Sequence, residues 1–520
     1  MKKMHSLIIV LILFLSCSPD KTQIVVESGT LIENVTVITC DSEGKIFEKK
    51  GNVLLDLGVI KTISKTKLEI KGNFQRVNGK DKFLIPGLID SHVHLNNIPG
   101  LDHRERANNP ELVQHYFERL PLNFLYYGYT SVIDVDNYAP EVIQSIKKSS
   151  LRPNIFTCGA KIQVMDDFEM VINEVPQKSC WRMPFLYDYY KQGKVPDSIN
   201  IQEHSASFLV EKIHSECNNC IKVLYEDASS GLPQTWEKPS QQIIQDLVFE
   251  ARKFQMPVIL HAPSFEGQKF ALETEVDIIA HAMWNWTPNP EKFLDSTLLE
   301  AHRELLEEIA KRKIGYQPTF RTLMGELDVL NGNFIDYQPL NQLYSHSFIE
   351  YLTTYSAVKS RNKIIWRLSF LERINPDFVK PIRSKFSSDE ALLDSLYISY
   401  QTKISKVVKL IGEYNGNLLF GTDNGALNLY THPPGLNGYL EMKHWKSAGI
   451  PLNQVFIAAT YNNAKEFYLL DKKGTIEVGK EADLLLLNDN PLENIMAYDK
   501  IDKVIIKGEV INREALSISN

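Results

Sequence analysis

The sequence predicts an α/β fold: a (β/α)8 TIM barrel with a small β-sandwich domain formed from both chain ends. Three observations carry that expectation. Between residues 83 and 469, short apolar runs alternate with segments of helical periodicity, the pattern of parallel strands joined by helices. Segments 22–82 and 470–515 show β-patterned runs separated by turn residues, and two such segments can share one sheet. Several central runs end in a lone histidine or aspartate, at the strand end where barrel enzymes place their chemistry.

Residues 1–17 precede the fold. Lys2 and Lys3 lead into an apolar run from Leu7 to Leu15, too short for a bilayer span of ~20 residues but suited to a signal peptide. Its end, Leu13-Phe14-Leu15-Ser16-Cys17, resembles a bacterial lipobox, with Phe14 where leucine is usual. That resemblance implies lipidation of Cys17 and an exported protein facing the periplasm or cell exterior, with the membrane as a partner through a lipid anchor. A plain signal peptide with a chance cysteine is the alternative.

From residue 22 to 82 the strand signals include Val53 to Ile63, broken at Gly58, and Leu68 to Val77, broken at Gly72. The C-terminal segment adds a buried strand over Ala482 to Leu487 and a hairpin over Val504 to Ile511. Eight barrel strands are expected near Leu84 to Leu95, Thr130 to Val135, Asn154 to Gly159, Ile221 to Tyr225, Pro257 to His261, Asp277 to His281, Lys313 to Pro318 and Asn417 to Asp423. Ile243, Ile244, Leu247, Val248, Ala251 and Phe254 mark one connecting helix. An insertion at 321–416 interrupts the alternation before the last strand. It holds a helix with Ser387 and Glu390 as capping box and an apolar stripe from Leu393 to Ile411. Before that helix, Phe334, Tyr337, Tyr344, Phe348, Tyr351, Tyr355 and Trp366 suggest an aromatic cap over the barrel mouth.

Hydrophobic residues make up 43% and charged residues 23% of the 520, which sets the chain among globular proteins and apart from disordered or multi-span membrane classes. Net charge is −7 with no long basic run, so the positive footprint that nucleic acid requires is missing. A small-molecule substrate is the expected partner. Besides Cys17 there are Cys40, Cys158, Cys180, Cys217 and Cys220. Cys217 and Cys220 have no second pair to complete a zinc set, so they read as a local disulfide or two inert thiols.

The informative stretch is Pro86-Gly87-Leu88-Ile89-Asp90-Ser91-His92-Val93-His94. Residues i and i+2 of a strand face one side, so His92 and His94 offer two nitrogens to one metal ion. His261, His281 and Asp423 each close an apolar run in the same manner. Core packing does not explain four histidines and a carboxylate at strand ends, because an unpaired buried carboxylate is costly.

These residues resemble a known family. Phe83 to Leu95 is similar to the first-strand motif of the amidohydrolase superfamily, and Gly421-Thr422-Asp423-Asn424-Gly425 to its last-strand motif. Gly474 to Leu484 resembles the segment returning the chain to the small domain. The resemblance implies two divalent ions, one held by His92, His94 and Asp423, the other by His261 and His281. Lys222, on the fourth strand, stands where binuclear members carry a carboxylated lysine, whose carbamate bridges the ions. Zinc fits these donors, as do other first-row ions.

The implied reaction is hydrolysis of a C–N bond in a cyclic amide, an N-acyl compound or a dipeptide, with Asp423 as catalytic proton shuttle. The pattern is closest to imidazolonepropionase-like and Xaa-Pro dipeptidase-like branches. A mononuclear deaminase is disfavoured, since Ser264 stands where those members carry a glutamate. Ester, lactone or phosphoester hydrolysis on the same site is the alternative, and a non-catalytic metal-binding surface lipoprotein is the alternative of another class. Tyr225, Arg321 and His432 are weak substrate-binding candidates near strand ends or loops.

Overall fold

The computed structural model describes residues 23–172, 185–191, 195–334 and 336–518. The leader with Cys17, and Cys180, lie outside the described residues.

At the N-terminal end, β1 (Ile24–Cys40), β2 (Ile46–Asp56), β3 (Val59–Ser64), β4 (Ile70–Asn78) and β5 (Phe83–Pro86) build most of one sheet. Gly58 turns β2 into β3, as its sequence signal suggested. Gly72 does not break its run: it lies inside β4 at a register shift against β1, with φ of +120°. A Cβ there would sit 1.9 Å from the Val26 carbonyl oxygen, so the close approach requires glycine.

The barrel strands follow. β6 (Leu88–Val93), β7 (Tyr129–Asp134) and β8 (Asn154–Thr157) pair in parallel, and the short β9 (Gln163–Val164) and β10 (Phe185–Leu186) pair with each other. A five-stranded parallel sheet continues with β11 (Ile221–Leu224), β12 (Val258–His261), β13 (Ile278–Ala280), β14 (Gly315–Gln317) and β15 (Asn417–Leu418). Backbone bonds close the ring. Ile162 donates to the Lys222 carbonyl at 2.8 Å on one side; on the other, Ser91 donates to the Phe420 carbonyl at 3.0 Å and Asp423 to that of His92 at 2.8 Å. The eight expected strands are therefore present. One difference is that the first run divides at Pro86-Gly87, β5 going to the outer sheet and β6 to the barrel.

β16 (Leu484–Leu487), β17 (Ile501–Ile506) and β18 (Glu509–Asn512) complete the small domain in the order β18-β17-β16-β5-β1-β2-β3, with β4 also on β1. The sheet curls until the turn at Gly58 meets Ala482, whose amide donates to the Gly58 carbonyl at 2.8 Å. Ile32, Val35, Val53, Leu84, Leu484 and Ile505 fill the space between its faces. Both chain ends thus contribute to one apolar core.

Helices cover the barrel, among them Gln241–Arg252, whose buried face is Ile243, Ile244, Leu247, Val248 and Ala251 as the periodicity indicated. In the long seventh connection the helix Asp389–Glu413 is capped by Ser388 in place of Ser387: the Ser388 hydroxyl accepts from the Ala391 amide at 3.2 Å. Tyr344 and Phe348 are buried and stack at 4.7 Å beside Tyr116 of the helix Pro110–Tyr126, whereas Tyr355 and Trp366 face solvent. The aromatic segment packs on the first barrel unit through its buried members.

Cys158 and Cys220 form a disulfide with their Cα atoms 4.4 Å apart. It lies fully buried inside the barrel, among Ile89, Ile133, Ile259, Ile278 and Leu419. The local pairing expected of Cys217 and Cys220 is thereby corrected. Cys217 is exposed in a turn at φ +61°, while Cys220 precedes β11 and faces the neighbouring strand.

Candidate metal centre

His92, His94, His261, His281 and Asp423 stand at or just beyond the C-terminal ends of barrel strands, and Lys222 lies within β11. His92, His94 and Asp423 offer ligand atoms within 4.8 Å of one another. Asp423 Oδ1 lies 2.9 Å from His94 Nε2 and 3.4 Å from His92 Nε2. The rings then run on contiguously: His92 to His281 at 5.2 Å between centroids and His281 to His261 at 4.5 Å. Two members have strained backbones, His281 at φ +76° and Asp423 at φ +55°. Non-glycine residues enter this left-handed region at a cost, one that surrounding structure sustains most often at functional sites.

Neighbouring side chains hold this strained geometry. The buried Asp90 carboxylate on β6 accepts from Thr422 Oγ1 at 2.7 Å and from its amide at 3.1 Å, which fixes the residue before Asp423. Thr322 Oγ1 donates to Asp423 Oδ2 at 2.9 Å. Gln317, fully buried on β14, donates from Nε2 to the Ser91 carbonyl at 3.0 Å, so its Oε1 faces His92 Nδ1 at 2.9 Å as acceptor. His92 Nδ1 therefore carries the hydrogen, and Nε2 keeps its lone pair toward Asp423. His281 Nδ1 lies 2.8 Å from Thr319 Oγ1.

Electrostatics suit His92, His281 and Asp423 as metal donors, whereas for His94 burial is outweighed by the bond to Asp423, which raises the pKa. Burial, reinforced by Lys222, lowers the His92 pKa to about 4, and burial with His261 draws His281 well below its ordinary value. Burial alone would raise Asp423, but its close approach to His92 and His94 holds it well below the usual carboxylate range. Neutral imidazoles and an ionised carboxylate are the forms that bind metal. Lys222 is 4% exposed, and its Nζ has no hydrogen-bond partner among the described residues. Burial lowers its pKa to about 7, so a neutral amine is accessible near neutral pH. An orphaned buried amine beside four histidines and an aspartate fits a bridging group between cations.

The weak candidates lie elsewhere. Tyr225 packs on Phe270 at 4.5 Å in the outer layer with Ile221 and Val223. Arg321 is 1% exposed and donates to Asn437, Asp328 and the Thr431 carbonyl; His432 donates from Nε2 to the Arg321 carbonyl at 2.8 Å. Both join an interior brace. Sequence reasoning missed Glu226, Gln317, Thr319 and Thr322. Strand parity offered a signal for Glu226, since it shares the Lys222 side of its strand whereas Tyr225 does not.

Comparison with known proteins agrees with this architecture. A dihydroorotase of Carboxydothermus hydrogenoformans is 44% identical over 78 residues, which are 15% of this chain and 16% of that protein. The chain thus matches about one sixth of that curated relative's length. Among solved structures, a Xaa-Pro dipeptidase with methionine bound in its active site aligns over 93% of this chain and 100% of its own, at TM-score 0.57 and 20% identity. Molinate hydrolase aligns over 95% and 97%, at TM-score 0.60 and 18% identity. These likenesses establish the shared barrel and outer sheet. The model of the Amidohydrolase family matches residues 83–308 and 389–511, most of the described chain and every strand that carries an expected ligand, and the protein belongs to that family.

Proposed function

We propose that this protein hydrolyses a C–N bond in a cyclic amide, an N-acyl compound or a dipeptide, at a centre for two divalent ions, zinc being the fitting choice. The carrying observation is Lys222: a buried amine with no hydrogen-bond partner among the described residues, amid residues whose side chains are metal donors. His92, His94 and Asp423 would hold one ion, His261 and His281 the other, with carboxylated Lys222 between. Bound there, the ions supply an activated water and an electrophile for the carbonyl oxygen. The chain's own residues do the rest. Asp423 accepts the proton of the attacking water and returns it to the leaving nitrogen. Thr322, donating to Oδ2 at 2.9 Å, keeps the carboxylate turned into the site. Gln317 and Thr319 keep two imidazoles in fixed rotation.

Lys222→Ala tests this reading. The variant should hold about one ion per chain where wild type holds two, and lose most activity against N-acyl amino acids, dipeptides and cyclic amides. Short carboxylic acids should restore part of both by taking the bridge position. Two ions retained in the variant, or an unmodified Lys222 in active wild type, would refute the bridge.

We further propose that the protein is exported and lipid-anchored through Cys17. The buried Cys158–Cys220 disulfide supports export, because such bonds persist in oxidising compartments.

A further inference from the structure

Three imidazoles of the centre have one nitrogen engaged by a residue outside the set of expected ligands. The partner is a carboxamide for His92 and a hydroxyl for His281, but a carboxylate for His261: Glu226 Oε1 lies 2.7 Å from its Nε2. Glu226 and His261 are the more open pair, at 17% and 21% exposure, while His92 and His281 are almost fully buried.

The placement follows from strand geometry. Ile221, Val223 and Tyr225 point to the outer layer, and Cys220 points into the barrel. Alternation then sets Lys222 and Glu226 on the inner side. The ladder runs one residue past β11, with Tyr225 donating to the His261 carbonyl at 3.0 Å. Glu226 is thus held against the end of β12 by backbone pairing.

We propose that Glu226 is a positioning residue that fixes the tautomer and rotation of His261. An ionised carboxylate only accepts, so Nε2 must carry the hydrogen, and a neutral ring then keeps its lone pair on Nδ1. His261 would meet its ion through Nδ1, the opposite nitrogen from the one His92 presents. A charged acceptor also strengthens the ring as a donor, more than the neutral partners of His92 and His281 do. One strand would then supply both the bridging group, Lys222, and the orienting group for the second ion. The inference rests on the two-ion reading above and goes beyond it by naming the residue that secures the second ion.

The test uses the full chain with zinc as probe. Zinc per chain is measured for wild type, Glu226→Gln and Glu226→Ala during competition with a chelator, and the His261 ring nitrogens are followed by 15N resonance in metal-free protein. In Glu226→Ala one zinc should be held as in wild type and the other about 10–100-fold more weakly. Glu226→Gln, which keeps an acceptor oxygen, should fall between. The His261 signal should report hydrogen on Nε2 in wild type and a mixture of tautomers in Glu226→Ala. Wild-type affinity for both ions with an unchanged tautomer would overturn the proposal. So would a raised KM with both ions intact, which would make Glu226 a substrate contact. If wild type itself held a single ion, the two-ion reading would fail, and the nitrogen signals would still judge the role of Glu226.

Discussion

The buried histidine His432 illustrates how single residues tie the centre to its surroundings. Its ring spans from the loop after Asp423 to the Arg321 carbonyl, and burial, aided by Arg321, lowers its pKa from 6.5 to about 3. The folded chain holds it neutral, so its contribution to stability is present above pH 6.5 and is lost as pH falls from 6.5 toward about 3. His432→Gln, which keeps an amide donor but removes the titration, should flatten that acid limb. Its stability at pH 8 should stay within about 1–2 kcal/mol of wild type. Chemical denaturation across pH 4 to 8 measures both effects, and an unchanged limb would refute the assignment. Much of the centre at this scale is legible in the sequence, because His92, His94, His261, His281 and Asp423 interrupt or end apolar runs. Their partners are not: the contacts of Gln317 with His92 and of Glu226 with His261 cross between strands, and linear spacing does not record which side chains meet at one depth of a barrel.

At the scale of elements, the parallel strands were the easiest to read, since burial on both faces turns each into a short apolar run. The ends were harder. Ser387 and Ser388 are adjacent and chemically alike, and only the bond to Ala391 selects the cap. The division between β5 and β6 depends on Gly87, where a Cβ would lie 2.0 Å from Thr130 Oγ1 and 2.8 Å from Thr130 Cβ. Gly87→Ala should therefore push the outer sheet and the barrel apart at their junction and cost about 1–3 kcal/mol. A lower denaturant midpoint at unchanged slope would confirm it. Wild-type stability would show that the junction can yield.

At the scale of the whole molecule, the gap between the two segments matched by the family, residues 309–388, contains most of the long seventh connection. Its helix Arg321–Asn331 contributes Thr322 to Asp423, so this segment is joined to the centre. The proposed anchor is tested at this scale too: Cys17→Ala should move the protein out of the membrane fraction or leave its precursor uncleaved. Unchanged membrane distribution without an acylated N-terminal peptide would refute the anchor. The disulfide partner of Cys220 was hidden in the sequence because Cys158 lies 62 residues away and becomes a neighbour only when β8 and β11 come together. That bond also constrains the order of assembly. Both sulfurs end fully enclosed by the barrel wall, so an oxidant can reach them only while the ring of strands is still open. The cross-link must therefore form before the barrel closes. A cell that delivers the chain already closed, with both thiols reduced, would produce a barrel that later oxidation could not repair without first unfolding it.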